Sequence, residues 1–140
     1  MENQNNNLSN PNGQNNHIIK LDIGALFEGD SYGLFVFQKT ERLVRAVYLL
    51  TSLMSDREPM RERLRALSNE MLENAFSMSD RIWGEDIYQK NLLFTISELS
   101  TLFDIAENTK MMSKMNHQII TSELKKLADF LVTSSVNYSS

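Results

Sequence analysis

Apolar residues recur three and four positions apart in four successive segments between Val36 and Val132, and this spacing limits what the chain can fold into. The spacing is clearest in the second segment, where the apolar positions are Met60, Leu64, Leu67, Met71, Ala75, Met78 and Ile82. Residues spaced in this way lie on one face of an α-helix. We therefore expect a helix from Pro59 to about Asp80 whose apolar face is buried against neighbouring helices.

The same spacing predicts three further helices. The first spans Phe35 to Met54, the third begins near Ile87 after an interruption at Trp83 and Gly84, and the fourth follows a weak break near Asn108. The apolar positions of the third helix are Ile87, Tyr88, Leu92, Ile96, Leu99, Phe103 and Ala106, and those of the fourth are Met112, Met115, Ile119, Ile120, Leu124, Leu127, Ala128 and Leu131. Asn and Thr lower helix propensity without forbidding a helix, so one long helix from Ile87 onward is the alternative.

Four helices joined by short links pack most economically as an all-α, antiparallel up-down four-helix bundle, here over residues 35–133. Residues 1–34 are expected to form a disordered, Asn- and Gln-rich tail that contains a short apolar segment, and residues 134–140 a polar C-terminal tail. The chain has no cysteine, which favours a cytoplasmic location. No apolar run approaches the roughly 20 residues of a membrane span, so we expect no membrane association.

Few residues in this pattern could carry out chemistry. His117 is either an ordinary solvated histidine or the exposed histidine of a phosphotransfer bundle, although Gln118 and two isoleucines follow it. Lys114 occupies the position where a di-iron bundle needs a glutamate. A Gly-rich phosphate loop and a nucleophile elbow are also missing from the sequence. We expect no enzymatic activity, no cofactor, no metal site and no small-molecule substrate.

Basic residues are concentrated in one part of an acidic chain. The net charge is -4, yet seven of the 14 Lys and Arg residues lie within residues 39 to 65. They are Lys39, Arg42, Arg45, Arg57, Arg61, Arg63 and Arg65. Cations are disfavoured at the start of a helix by its macrodipole, so Glu58, Glu62 and the acidic third helix are one means of compensation. The other interpretation is an Arg-rich edge that binds phosphate or a protein partner.

Two further features have both a structural and a functional interpretation. The apolar segment before the first helix either lies on the bundle's own surface or docks on a neighbouring chain. Its apolar residues are Ile18, Ile19, Leu21, Ile23, Leu26 and Phe27. The eight methionines either fill the core or mark a pliable groove for a partner, because methionine repacks easily.

The stretch from Leu99 to Leu127, LSTLFDIAENTKMMSKMNHQIITSELKKL, is similar to the four-helix-bundle family of 23S ribosomal RNA intervening-sequence proteins and accessory variability proteins of diversity-generating retroelements. Ile105 and Ala106 match the end of a family helix, and Ser113 matches the start of its last helix. The resemblance covers about residues 35 to 132. It implies a non-enzymatic bundle that forms a ring, which in the retroelement members holds a reverse transcriptase and its RNA through basic surface.

Only five arginines could carry that contact here: Arg42, Arg45, Arg61, Arg63 and Arg65. The retroelement members are strongly basic, whereas this chain is acidic overall. The first hypothesis is therefore a self-associating scaffold, an accessory subunit of a reverse-transcriptase ribonucleoprotein that contacts RNA or DNA through the Arg-rich edge. The second is a protein-only structural or regulatory adaptor. Both predict a homo-oligomer with a protein partner.

Overall fold

The computed structural model describes residues 22–80 and 87–138, and it is helical in both ranges without a β-strand in either. The helices are α1 (Ile23–Leu26), α2 (Ser31–Thr51), α3 (Pro59–Ser77), α4 (Ile87–Asn108) and α5 (Lys114–Tyr138), with a 3₁₀ turn at Met78–Asp80. The all-α class predicted from the apolar spacing is confirmed. Residues 1–21, together with Ile82, Trp83 and Gly84, lie outside the described residues.

The four long helices form an antiparallel up-down bundle, as predicted. Each of them contacts its neighbours in sequence, and α5 returns to pack against α2. The start of α2 meets the end of α5, where the rings of Tyr32 and Phe130 stack with centroids 5.4 Å apart. At the other end of the bundle, His117 near the start of α5 contacts Asp104 near the end of α4. Neighbouring helices therefore run in opposite directions.

The apolar stripes of α3 and α4 form much of the core. All the described stripe residues of α3 after Met60 are buried, and so are those of α4 from Leu92 onward. The prediction is wrong for Ile87, Met115 and Ile119, which are exposed. In α5 the inward position belongs to Ile120, and consecutive residues of a helix point about 100° apart, so Ile119 faces outward.

Helix α2 begins at Ser31 rather than at Phe35. Asp30 caps it, because the carboxylate oxygen Oδ1 accepts a hydrogen bond from the Gly33 backbone N–H at 2.8 Å. Gly29, with φ of 74°, ends the preceding turn. The helix therefore starts within residues 1–34, the segment that the sequence analysis assigns to the N-terminal tail.

The break near Asn108 is confirmed, and the alternative of one long helix is wrong. The Met111 N–H bonds to the Ala106 carbonyl at 2.8 Å, and the Lys110 N–H bonds to the Glu107 carbonyl at 3.0 Å. This pair of bonds is the Schellman motif, which closes a helix around one left-handed residue. That residue is Lys110, with φ of 64°. Ser113 then caps α5 by accepting from the Asn116 N–H at 3.1 Å.

Helix α5 continues to Tyr138, through the segment that we assigned to a polar C-terminal tail. No glycine or proline follows Gly84 in the sequence, so nothing in the local backbone chemistry stops the helix where the apolar stripe ends.

Candidate functional site

Arg65 is held by α2 rather than presented to a ligand. Its Nε donates to the hydroxyl of buried Thr51 at 2.9 Å, and its guanidinium lies 4.7 Å from the ring centroid of Tyr48. A second donor, Nη2, reaches the Tyr48 carbonyl at 3.3 Å. Arg65, which belongs to α3, therefore links α3 to the last turn of α2 near one end of the bundle.

Four other candidate cations bind carboxylates of the chain itself. Arg63 donates to Glu98 on α4 at 3.0 Å, and Arg61 donates to Asp56 at 2.6 Å. The remaining two pairs are Lys39 with Glu123 and Arg45 with Glu41. Of the proposed compensation, the pairing of Arg63 with Glu98 on the acidic helix is present, whereas Arg61 pairs with Asp56 rather than with Glu58 or Glu62. Arg42 and Arg57 are exposed.

The candidate cations do not lie on one edge. Arg63 faces α4, whereas Arg61 donates to Asp56 in the α2–α3 link and Arg65 donates to Thr51 at the end of α2. The sequence contains this information, because residues two apart on a helix point about 200° away from each other. Lys39 joins α2 to α5 through Glu123, which also accepts from Lys126 at 3.0 Å. The hydrogen bonds from Lys39 and Lys126 hold the pKa of Glu123 below its ordinary value.

The candidate docking segment is divided by the structure. Phe27 is buried, with 3% of its surface exposed, and its ring centroid lies 5.7 Å from that of Phe37. Ile23 packs against the same core, whereas Leu26 is exposed. Phe27 and Ile23 thus follow the interpretation in which the segment lies on its own bundle. Ile18, Ile19 and Leu21 lie outside the described residues.

The outer face of α4, where it adjoins α3, exposes a large aromatic side chain. Phe94 is 67% exposed, and Ile87 and Ile105 are exposed on the same side of the helix. A concavity of about 300 Å³ lies beside Phe94. Its walls include the ion pair of Arg63 and Glu98, together with Ser97, Thr101 and Leu102. We call this surface the α3/α4 face.

A second apolar surface lies at the bundle end where α2 finishes and α5 begins. Leu50 and Leu53 line a groove of about 580 Å³ together with Met111 and Met112 of the α4–α5 link. Lys110, Lys114 and Glu107 lie along its rim. We call this surface the link groove. Of its lining residues, Leu53 is 75% exposed.

The methionines divide between the two interpretations proposed for them. Met71 and Met78 are fully buried in the core, as the core interpretation predicts. Met111 and Met112 are half-buried and line the link groove, and Met115, which lies in sequence between the lining residues Lys114 and Asn116, is exposed. Binding of a partner by this methionine-lined groove stays a prediction.

His117 pairs with one acid, since its Nε2 lies 2.6 Å from Oδ1 of Asp104. Within residues 22–80 and 87–138, His, Asp and Glu side chains form no group of three that could hold a metal ion. None of the helices in the described part of the chain has an apolar stretch long enough to cross a bilayer.

No model of a known protein family, no curated protein and no solved structure matches this chain. The resemblance to intervening-sequence and accessory variability proteins therefore stays a prediction.

The structure draws attention to two residues that the sequence analysis does not select, Phe94 and Lys110. Phe94 interrupts the apolar stripe of α4 between Leu92 and Ile96, and this off-stripe position was the available signal for an exposed aromatic residue.

Proposed function

We propose that the chain is a non-enzymatic protein-binding bundle that associates with a second copy of itself through the α3/α4 face. The exposure of Phe94 is the observation that carries the proposal. Covering the exposed part of a phenylalanine removes roughly 100 Å² of apolar surface from water, which contributes about 2.5 kcal/mol to association. Ile87 and Ile105, exposed on the same side of α4, extend this apolar surface along the helix.

The α3/α4 face has the features that a two-fold interface requires. Such an interface presents the same patch from both copies, so each copy needs a protrusion, a matching concavity and charges that complement themselves. Phe94 is the protrusion, and the concavity of about 300 Å³ lies beside it. Arg63 and Glu98 stand 3.0 Å apart at this concavity and remain partly exposed. Arg63 of one copy can pair with Glu98 of the other, so that neither charge is buried alone.

The size of the face predicts weak association. A stable interface buries about 800 Å² per partner. One exposed face of a 22-residue helix is roughly 33 Å long and about 10 Å wide, which is less than half of that area. We expect a dimer whose population depends on protein concentration. The bundle would act in the cytoplasm, which the absence of cysteine favours.

The arrangement of the basic residues favours protein over nucleic acid as the partner. Five of the seven candidate cations already bind acceptors in the chain, and the net charge is -4. Phosphate contacts by these side chains would first require the loss of internal ion pairs or hydrogen bonds. The accessory role in a ribonucleoprotein therefore has less physical support than the protein-only adaptor.

Light scattering and sedimentation equilibrium over a range of protein concentrations test self-association. We expect the wild-type mass to rise from monomer to dimer, and Phe94→Glu to shift the dissociation constant upward by more than tenfold. Leu49→Glu is the matched control, because Leu49 is 71% exposed on α2, outside the α3/α4 face. Circular dichroism must show both variants to be as helical as the wild type.

Three outcomes oppose the proposal. A monomer at every concentration contradicts self-association, and an equal effect of the two variants contradicts the choice of face. A mass increase on adding a structured RNA at low salt, reversed as salt rises, would favour the nucleic-acid hypothesis.

A further inference from the structure

The rim of the link groove carries an unusual lysine. Lys110 has φ of 64° and is the left-handed residue of the Schellman motif at the end of α4. Glycine is the usual residue at this position because a Cβ there crowds the backbone. With lysine at this position the backbone remains strained, and glycine would remove that strain. Unlike glycine, however, lysine places an exposed, charged side chain at the groove.

The charge around the groove is biased toward the positive sign. Lys110 and Lys114 are both exposed, and the acid on the same rim is Glu107. The remainder of the chain is acidic, since the net charge is -4. An approaching acidic segment is therefore attracted to this end more than to the rest of the surface.

The groove between these charges is apolar and adaptable. Leu50 and Leu53 form one side of it, and Met111 and Met112 form another. Methionine side chains repack around ligands of different shape, because they are unbranched and polarisable. Leu53 is 75% exposed and Met115 is 70% exposed, so apolar contact surface continues onto the flanks.

We propose that the link groove binds an acidic amphipathic helix of another protein. Leucine-like side chains spaced three and four apart on that helix would lie over Leu53 and the methionines, and its carboxylates would pair with Lys110 and Lys114. This site goes beyond the α3/α4 face and shares no lining residue with it. A bundle with both surfaces joins its own second copy to an unlike partner.

The test uses a synthetic helical peptide with leucines at that spacing and glutamates elsewhere, and a matched peptide in which lysine replaces every glutamate. The full chain carries ¹³C-labelled methionine methyl groups. We expect the acidic peptide to move the signals of Met111, Met112 and Met115, while those of core Met71 and Met78 stay in place. Fluorescence anisotropy gives the dissociation constants, and affinity should fall as salt rises.

Two substitutions separate binding from folding. Leu53→Glu should weaken the acidic peptide by more than tenfold. Lys110→Gly should weaken it about two- to fivefold, the effect of one exposed ion pair, while the melting temperature rises because the left-handed strain is removed. Lys110→Arg keeps the charge and should restore binding. Phe94→Glu, which alters the other face, should leave peptide affinity unchanged.

Several results would overturn the proposal. Equal binding of both peptides shows that charge does not select the ligand. If the core methionine signals move, or if no methionine signal moves, the groove is not the binding site. A higher melting temperature in Lys110→Gly with unchanged peptide affinity assigns Lys110 no part in binding. A mass equal to two chains in the presence of peptide, lost in Leu53→Glu, would assign the groove to a second copy. Self-association through the α3/α4 face is tested separately, by comparing the solution masses of the wild type and Phe94→Glu without peptide.

Discussion

Replacing Gly33 with alanine has two effects on stability, and they act in opposite directions. Alanine is favoured over glycine within a helix by about 1 kcal/mol, and Gly33 lies in the first turn of α2. Propensity alone therefore predicts a more stable protein. The structure predicts the opposite, because a Cβ on this residue would lie 2.4 Å from Oδ2 of Asp30 and 2.9 Å from Cδ1 of Phe27.

Neither neighbour can move away without loss. Asp30 caps α2 through the Gly33 N–H, and losing a cap costs about 1 kcal/mol. Phe27 is 3% exposed in the core, where added volume costs about 1–3 kcal/mol. After the gain in propensity is subtracted, Gly33→Ala should lower the free energy of unfolding by about 1–3 kcal/mol.

Urea unfolding followed by circular dichroism measures this free energy. Gly24→Ala is the matched control, because it also lies in a helix but its Cβ would meet only the flexible Asp22 side chain at 3.0 Å, so we expect no loss of stability greater than about 0.5 kcal/mol. In an Asp30→Ser background, which keeps a cap but shortens the side chain, Gly33→Ala should be less harmful. A Gly33→Ala protein as stable as the wild type would refute the reasoning.

Two other substitutions test interactions between helices. Tyr32→Phe removes the hydrogen bond that the Tyr32 hydroxyl donates to Oε1 of buried Gln89 at 3.0 Å, and should lower the free energy of unfolding by about 1 kcal/mol without changing the urea m-value. An unchanged urea midpoint in Tyr32→Phe would contradict this prediction. Hydrogen bonds from Lys39 and Lys126 hold the pKa of Glu123 below its ordinary value of 4.5. This stabilisation is complete above pH 4.5 and disappears as pH falls through the lowered pKa, so the stability difference between wild type and Glu123→Gln should shrink in acid. A difference that stays constant into acid would show that the pairs contribute nothing.

Helix periodicity predicted the core of α3 and α4 because burial there depends on one local repeat. Leu64, Leu67 and Met71 each lie where the spacing places them. The repeat becomes ambiguous where two apolar residues adjoin, as at Ile119 and Ile120, since the neighbouring helix decides which of them is covered. Composition also obscured the start of α2. Gly29 and Gly33 flank Asp30, and glycine is unfavourable within helices, yet the carboxylate that caps α2 lies between them.

The interaction surfaces were less accessible to sequence reasoning than the core. Clustering of cations along the chain suggested one Arg-rich edge, but pairing across helices is a property of packing. Glu98 lies 35 positions from Arg63, and only the antiparallel arrangement brings them together. Lys110 was not identifiable at all from residue type, because its significance comes from a left-handed backbone at a position where glycine is usual.

The contact between α2 and α5 closes the bundle, and it joins parts of the chain that are far apart in sequence. Lys39 and Glu123 are separated by 84 positions, whereas the Arg65 and Thr51 contact between α2 and α3 spans 14. Bringing distant segments together costs more chain entropy, so hairpins of adjacent helices form more readily than this closing seam. A covalent tether from α2 to α5 would therefore restrict the unfolded chain more than a tether within any hairpin.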